Sequence, residues 1–201
     1  MKVDARKIVE LVRKMKPLFA DSSRVSQVKE KGTCDYVTQV DIQVQKLIKE
    51  GLYQMYPQVQ FMGEEQDNTA IDRKGDFWIL DPVDGTTNLI HDFRHSTLSL
   101  AYAEEGTVEL GIVYQPYTDE MFVAVKGKGA FLNGKPIHVS EAKTLSESLV
   151  TIGTSPYYHE LADWIFKVFK EVFLSCQDIR HLGSAALDMA YVACGRVDAF
   201  F

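Results

Sequence analysis

Phe77-Trp78-Ile79-Leu80-Asp81-Pro82-Val83-Asp84-Gly85-Thr86-Thr87-Asn88 is an apolar run that stops on two carboxylates. Four consecutive large apolar residues read as a short buried strand. Asp81 and Asp84 then fall at the end of a rigid element that can aim them. Pro82 stiffens a turn after the strand, and Gly85 permits close backbone approach. Thr86-Thr87-Asn88 open a short helix whose N–H groups suit an anion. Carboxylates beside an anion pocket repel phosphate unless a cation lies between them. Their oxygens suit Mg²⁺, Mn²⁺ or Ca²⁺ better than zinc. Metal-assisted phosphoryl transfer to water uses both parts together. The spacing of Asp81, Asp84, Gly85 and Asp92 does not match a calcium-binding EF-hand loop. A solvated, capping turn explains one aspartate alone but not the whole octapeptide.

Upstream, Gly63-Glu64-Glu65 follows the apolar pair Phe61-Met62. Taken alone, such a pair of acids is a solvated charge run. Its place between two strand-like stretches brings it toward Asp81. Further out, Ala5, Ile8, Val9, Val12 and Met15 repeat at helical spacing, and Ala20 to Tyr36 reads as a loop or mobile hairpin. Val44, Leu47, Ile48, Leu52 and Met55 mark one stripe of a second helix. Thr38 and Asp41 form a capping-box-like start to it, and Pro57 closes it. Asp41 alone reads as a cap that favours the helix dipole. Downstream, Leu98–Tyr102, Val108–Tyr114 and Met121–Val125 predict an antiparallel meander, with a hairpin at Asn133-Gly134 and a strand at Leu149–Ile152. Leu161, Trp164, Ile165, Val168, Phe169 and Val172 predict a helix. The last helix runs from about Ser184 to Cys194, with Gly195 as its stop and Ser184 as its N-cap. Helices and strands in mixed order give a layered α+β architecture.

The bulk numbers exclude several classes. The 201 residues are 46% hydrophobic and 25% charged, with a formal net charge of −6. That suits one soluble domain or two small lobes, without the basic face that nucleic-acid binding needs. Met1 to Leu18 is charged every few residues and lacks the apolar run of a signal peptide, and no stretch is long enough to span a bilayer. Cys34, Cys176 and Cys194 read as reduced cytosolic thiols. No Ser, Cys or His is arranged as a nucleophile–base pair, so nothing supports a covalent intermediate. The sequence stops on Ala199-Phe200-Phe201, an apolar ending that reads as that of a fragment.

Gly63-Glu64-Glu65 followed by Trp78 to Asn88 resembles the inositol monophosphatase family. Asn88 to Phe93, Val37 to Asp41, Gly127 to Gly134 and Gly183-Ser184-Ala185-Ala186 are similar to it too, in family order over nearly the whole chain. The resemblance implies an α-β-α-β-α sandwich of the sugar-phosphatase type, with residues 1–201 forming one domain that lacks the family's C-terminal segment. That segment carries a Glu for the substrate and a Trp-Asp pair for the second metal. Two or three Mg²⁺ per site are implied, with Mn²⁺ as a substitute. Glu64, Asp81 and the carbonyl of Val83 would hold the first ion, Asp81 and Asp84 the second, and Glu64 a weaker third. Glu65 would support the cluster. Thr86, hydrogen-bonded to Asp41, would orient the attacking water. The amides of Gly85 and Thr86 would grip phosphate, and Ser184, Ala185 and Asp84 would meet the alcohol. The expected protein is a cytoplasmic homodimer that hydrolyses a small phosphate monoester, foremost inositol monophosphate. A nucleotide bisphosphate or fructose 1,6-bisphosphate is the alternative substrate. The alternative of another class is a non-catalytic metal-binding scaffold.

Overall fold

The structure is a computed structural model that describes residues 2–20, 28–32 and 35–201. Its centre is a seven-stranded sheet: β3 (Gln60–Gly63), β4 (Phe77–Asp84), β5 (Thr97–Glu104), β6 (Thr107–Gln115), β7 (Glu120–Val125), β8 (Gly129–Leu132) and β9 (Lys135–Pro136) lie side by side in chain order. β3 runs parallel to β4, and every later neighbour is antiparallel. The β8–β9 turn has Asn133 at φ 48° and Gly134 at φ 78°. Both central residues lie in the left-handed region, as a tight hairpin that matches strand twist requires.

Strand alternation sorts this sheet into two faces. Trp78, Leu80, Leu98, Leu100, Tyr102, Leu110, Ile112 and Tyr114 point one way and are almost fully buried. They pack under α1 (Ala5–Arg13), α2 (Lys16–Phe19) and α3 (Gln39–Met55) through Ile8, Val12, Phe19, Val44, Ile48 and Leu52. Val113, Phe122 and Leu132 face the other way, onto α6 (Ala185–Ala193). Beyond α6 lies a parallel sheet of β10 (Leu149–Thr151), β11 (Asp178–Arg180) and β12 (Ala199–Phe200), in the order β11-β10-β12. The chain leaves β10 through α5 (Ala162–Phe173) to β11, then returns through α6 across β10 to β12. Right-handed crossovers that reverse direction place their helices on opposite faces. Ile165 and Phe169 of α5 accordingly pack with Val150 and Ile152 on the outer face. The layers are therefore α-β-α-β-α, as expected from the sequence.

Several local expectations change. β4 continues through Asp84, so Asp81-Pro82-Val83-Asp84 is a strand end rather than a turn. Between Asp81↔Ser99 and Asp84↔Thr97 the strand carries one residue more than its partner. Such a bulge bends the strand and re-aims its side chains. It also accommodates Pro82, which has no N–H to give the ladder. Leu47 and Trp164 face solvent, 41% and 66% exposed, because the buried stripes run through Val40, Val44 and Ile48, and through Ile165 and Phe169. The first helix ends at Arg13, since Pro17 starts a separate turn, α2. β11 gave no sequence signal: only Ile179 among its three residues is apolar. Of the expected loop Ala20–Tyr36, the described part includes the antiparallel pair β1 (Lys29–Gly32) and β2 (Asp35–Val37). Residues 21–27 and 33–34, including Cys34, lie outside the described residues.

Candidate active site

The first turns of α3, α4 (Thr86–Ile90) and α6 meet at the carboxyl ends of β3 and β4. Parallel pairing aligns Gly63 with Leu80, and Glu64 N–H extends the ladder to Leu80 O at 3.2 Å. Glu64 and Asp81 therefore leave neighbouring strands at the same level. One bulge later, Asp84 joins them. Gly85, at φ 86°, turns the chain into α4. A Cβ there would lie 2.9 Å from Gly183 O and 3.1 Å from His95 O, so glycine is required by both conformation and space.

α3 enters the site through its cap. Thr38 N–H and Thr38 Oγ1 both donate to Asp41 Oδ2, at 2.8 and 2.6 Å, and Val40 N–H donates to Thr38 Oγ1 at 3.1 Å. That completes a capping box with Asp in place of the usual Glu. Asp41 Oδ1 remains for Thr86, whose hydroxyl lies 3.3 Å from it and 3.0 Å from Val83 O. One hydrogen thus faces two acceptors. Asp41 is both cap and partner of Thr86.

α6 is tied in by Asp84. Ser184 Oγ donates to Asp84 Oδ2 at 2.6 Å, and Ala186 N–H donates to the same oxygen at 2.7 Å. The single hydroxyl hydrogen of Ser184 goes to Asp84, so Thr97, 3.2 Å away, donates to Ser184. Leu187 N–H adds the helix cap. Ser184 is fully buried, whereas Ala185 beside it is exposed.

Charge is concentrated here. Burial, then repulsion from Glu64 and Asp84, pushes the Asp81 carboxyl up to about 8. Burial raises Asp41 to about 6 against the pull of its Thr38 hydrogen bonds. Burial also raises Asp84, opposed by Ser184 and the amides of Ala186 and Ala185. None of the ion pairs among the described residues brings a cation to Asp41, Asp81 or Asp84.

A family model described as the inositol monophosphatase family matches residues 2–201. The chain belongs to this family. It is 37% identical over 175 residues to the inositol-1-monophosphatase of Rhizobium meliloti (strain 1021), a match covering 87% of this chain and 66% of that protein. It is 39% identical over 195 residues to the fructose-1,6-bisphosphatase/inositol-1-monophosphatase of Thermotoga maritima, covering 96% and 72%. The crystal structure of the extragenic suppressor protein suhB from Bartonella henselae superposes with a TM-score of 0.91 at 32% identity, covering 97% of this chain and 76% of that one. The chain spans just under two thirds of the Rhizobium relative.

Within this inositol monophosphatase fold, the donor set fits a hard divalent cation. The carboxylates repel one another, Asp81 and Asp84 are part-buried while Glu64 is exposed, and the Val83 carbonyl between the two aspartates in sequence faces the Thr86 hydroxyl. Among the described residues no three His, Cys, Asp or Glu side chains converge tightly enough to form a metal cluster by themselves. A few carboxylates completed by a carbonyl and waters is the pattern Mg²⁺ accepts, since it keeps much of its hydration.

Two residues in the site, Gln45 and Asp188, and the side-chain role of a third, Asn88, escaped sequence reasoning. Gln45, 8% exposed on the buried stripe of α3, accepts from Glu65 N–H at 3.0 Å. A Cβ on Gly63 would collide with Gln45 Oε1, so these residues are mutually constrained. A polar residue one turn after Asp41 on an otherwise apolar face was the available signal. The Asn88 amide donates to His95 O at 2.9 Å and to Leu182 O at 2.6 Å, stapling α4 to the segment before α6. Asp188, 1% exposed on α6, has one carboxylate oxygen without a partner, and burial raises it to about 6.

Proposed function

We propose that this chain catalyses divalent-metal-dependent hydrolysis of a small phosphate monoester, with inositol monophosphate as the leading substrate. The observation that carries the reading is the mutually repelling set of Glu64, Asp81 and Asp84, with the two aspartates largely withdrawn from water and Glu64 exposed, next to Thr86 held by Asp41. When bound, a divalent ion supplies Lewis acidity and lowers the pKa of its water from ~15.7 toward ~7. Glu64, Asp81, Asp84 and the carbonyl of Val83 would hold such ions. Thr86 Oγ, its hydrogen shared between Asp41 and Val83, accepts a hydrogen bond from the incoming water and fixes its direction. The backbone amides of Gly85 and Thr86 grip the phosphate oxygens, an arrangement open to them because Gly85 has no side chain. Ala185, exposed at the start of α6, meets the alcohol with Ser184 and Asp84. Glu65, fixed through Gln45, supports the acid cluster.

The names of the Rhizobium and Thermotoga relatives favour inositol phosphates, and the Thermotoga relative's double name keeps fructose 1,6-bisphosphate as a second substrate. The net charge of −6 supports a small phosphorylated partner over nucleic acid. We further read residues 1–201 as one domain that works as a homodimer in the cytoplasm. No described helix is long and apolar enough to cross a membrane. Phosphate release from inositol 1-phosphate, measured with and without Mg²⁺, tests the activity. Release that requires Mg²⁺ and is lost in a folded Asp84→Asn variant is expected. Equal release in that variant, or release unaffected by chelator, would remove the metal reading.

A further inference from the structure

Glu64 differs from the two aspartates it joins. It is exposed where Asp81 and Asp84 are part-buried, and a long glutamate side chain keeps several rotatable bonds, so burial does less to hold its carboxylate. Its backbone is held instead. β3 is an edge strand of the seven-stranded sheet, with β4 on one side only. On that side Glu64 N–H reaches Leu80 O. On the other side two side chains take the place of a strand, a cover that edge strands commonly need. Asn68 accepts from Gly63 N–H at 3.2 Å and donates to Gly63 O at 2.7 Å, and Gln66 donates to Phe61 O at 2.7 Å. The donors fix both amides: Gly63 N–H requires the Asn68 oxygen, and Lys49, at 2.7 Å, requires the Gln66 oxygen. The residue after Glu64 is caught from a third direction. Gln45, one turn after Asp41 on α3, accepts from Glu65 N–H at 3.0 Å. Gly63 makes room for it, since a Cβ there would collide with Gln45 Oε1. Asp41, Gln45 and Lys49 thus follow at four-residue spacing along one face of α3 and reach Thr86, Glu65 N–H and Gln66 in turn. One helix sets the distance between the strand end that bears Glu64 and the helix start that bears Thr86.

We propose that Gln45 and Asn68 are positioning residues that set how tightly Glu64 takes part in binding a divalent cation, by fixing the main chain on both sides of it, an inference that rests on the metal-dependent reading of the site. Their bonds are to the backbone of Gly63 and Glu65, so they act on where Glu64 stands and not on its charge. Groups that orient metal ligands in this way cost about 10- to 100-fold in affinity when removed.

Mn²⁺ uptake by the metal-free full chain, read as loss of the free-ion EPR signal with protein in excess, tests this without substrate. Gln45→Met keeps the length and helix propensity of glutamine but offers no oxygen to Glu65 N–H, and should weaken uptake by roughly tenfold. Gln45→Glu returns an acceptor oxygen at the same length and should recover most of that loss. Asn68→Ala, at a half-exposed loop position where folding is not at stake, should weaken uptake by a similar factor, roughly tenfold. Unchanged affinity in a folded Gln45→Met or Asn68→Ala variant would overturn the proposal, as would a Gln45→Glu variant as weak as Gln45→Met. A wild-type chain that takes up no Mn²⁺ would remove the metal reading itself and this proposal with it, a result distinct from wild-type uptake that the variants leave unchanged.

Discussion

Asp41→Asn separates two jobs that one carboxylate does at once. Asp41 Oδ2 takes two donors from Thr38, and Oδ1 faces the Thr86 hydroxyl. An amide has one oxygen, and the two Thr38 donors draw it to their side. The NH₂ group then faces Thr86, reverses the direction of that hydrogen bond, and leaves Val83 O as the acceptor for the Thr86 hydrogen. The cap survives with a neutral acceptor, a loss of about 1 kcal/mol. Against this stands the burial of a charge. The Asp41 carboxyl titrates at about 6 in the fold and at 3.8 in its unperturbed form. Because the folded value is the higher one, the protonated form stabilises the fold. That stability is fully present below the unfolded value and disappears as pH rises through about 6. The difference is worth about 3 kcal/mol at most. Asn escapes it. Urea unfolding in chelator should therefore find Asp41→Asn less stable by about 1 kcal/mol near pH 4 and as stable as wild type, or more so, near pH 8. Phosphate release at pH 8 should nonetheless fall by roughly 10²-fold, the usual worth of a positioned proton-handling group. Wild-type turnover in this variant would refute the role of Asp41 in orienting Thr86 and leave it a helix cap. A stability difference independent of pH would refute the burial argument.

Gly85→Ala should lose about 1–3 kcal/mol in thermal unfolding, since it combines a positive φ with close contact to two carbonyls. Gly127→Ala, at φ 72° with nothing within 4 Å, should lose less, and equal losses would show that the contacts do not matter. Asp188→Asn should stabilise the metal-free protein by about 1–2 kcal/mol near pH 8 and by little near pH 4. Its carboxyl is raised to about 6, so the wild type loses that stability as pH climbs through 6. Denaturant titrations at the two pH values check the sign.

The parts of the site that were legible in the sequence are local. Asp81, Asp84, Gly85 and Thr86 sit within six residues, and a strand end followed by a helix start follows from apolar run, glycine and threonine. The capping box of Thr38 and Asp41 is equally local, as is the Asn133-Gly134 hairpin. Periodicity of two and of 3.6 also gave most helices and strands, because burial of one face imposes it. It failed for Leu47 and Trp164, where an apolar residue lies outside the buried stripe.

Tertiary structure decided which local pieces meet. Asp84 and Ser184 are 100 residues apart, and Asn88 reaches Leu182 over 94. No pattern within either segment announces those bonds. They exist because β4, α3, α4 and α6 are packed by separate apolar cores that bring their ends together. The raised Asp81 and the orphaned oxygen of Asp188 arise in the same way, from dehydration by neighbours distant in the chain. Side-chain chemistry is written residue by residue, whereas dielectric environment and partner choice belong to the packed whole, and so the sequence named the acids while the fold set their charge.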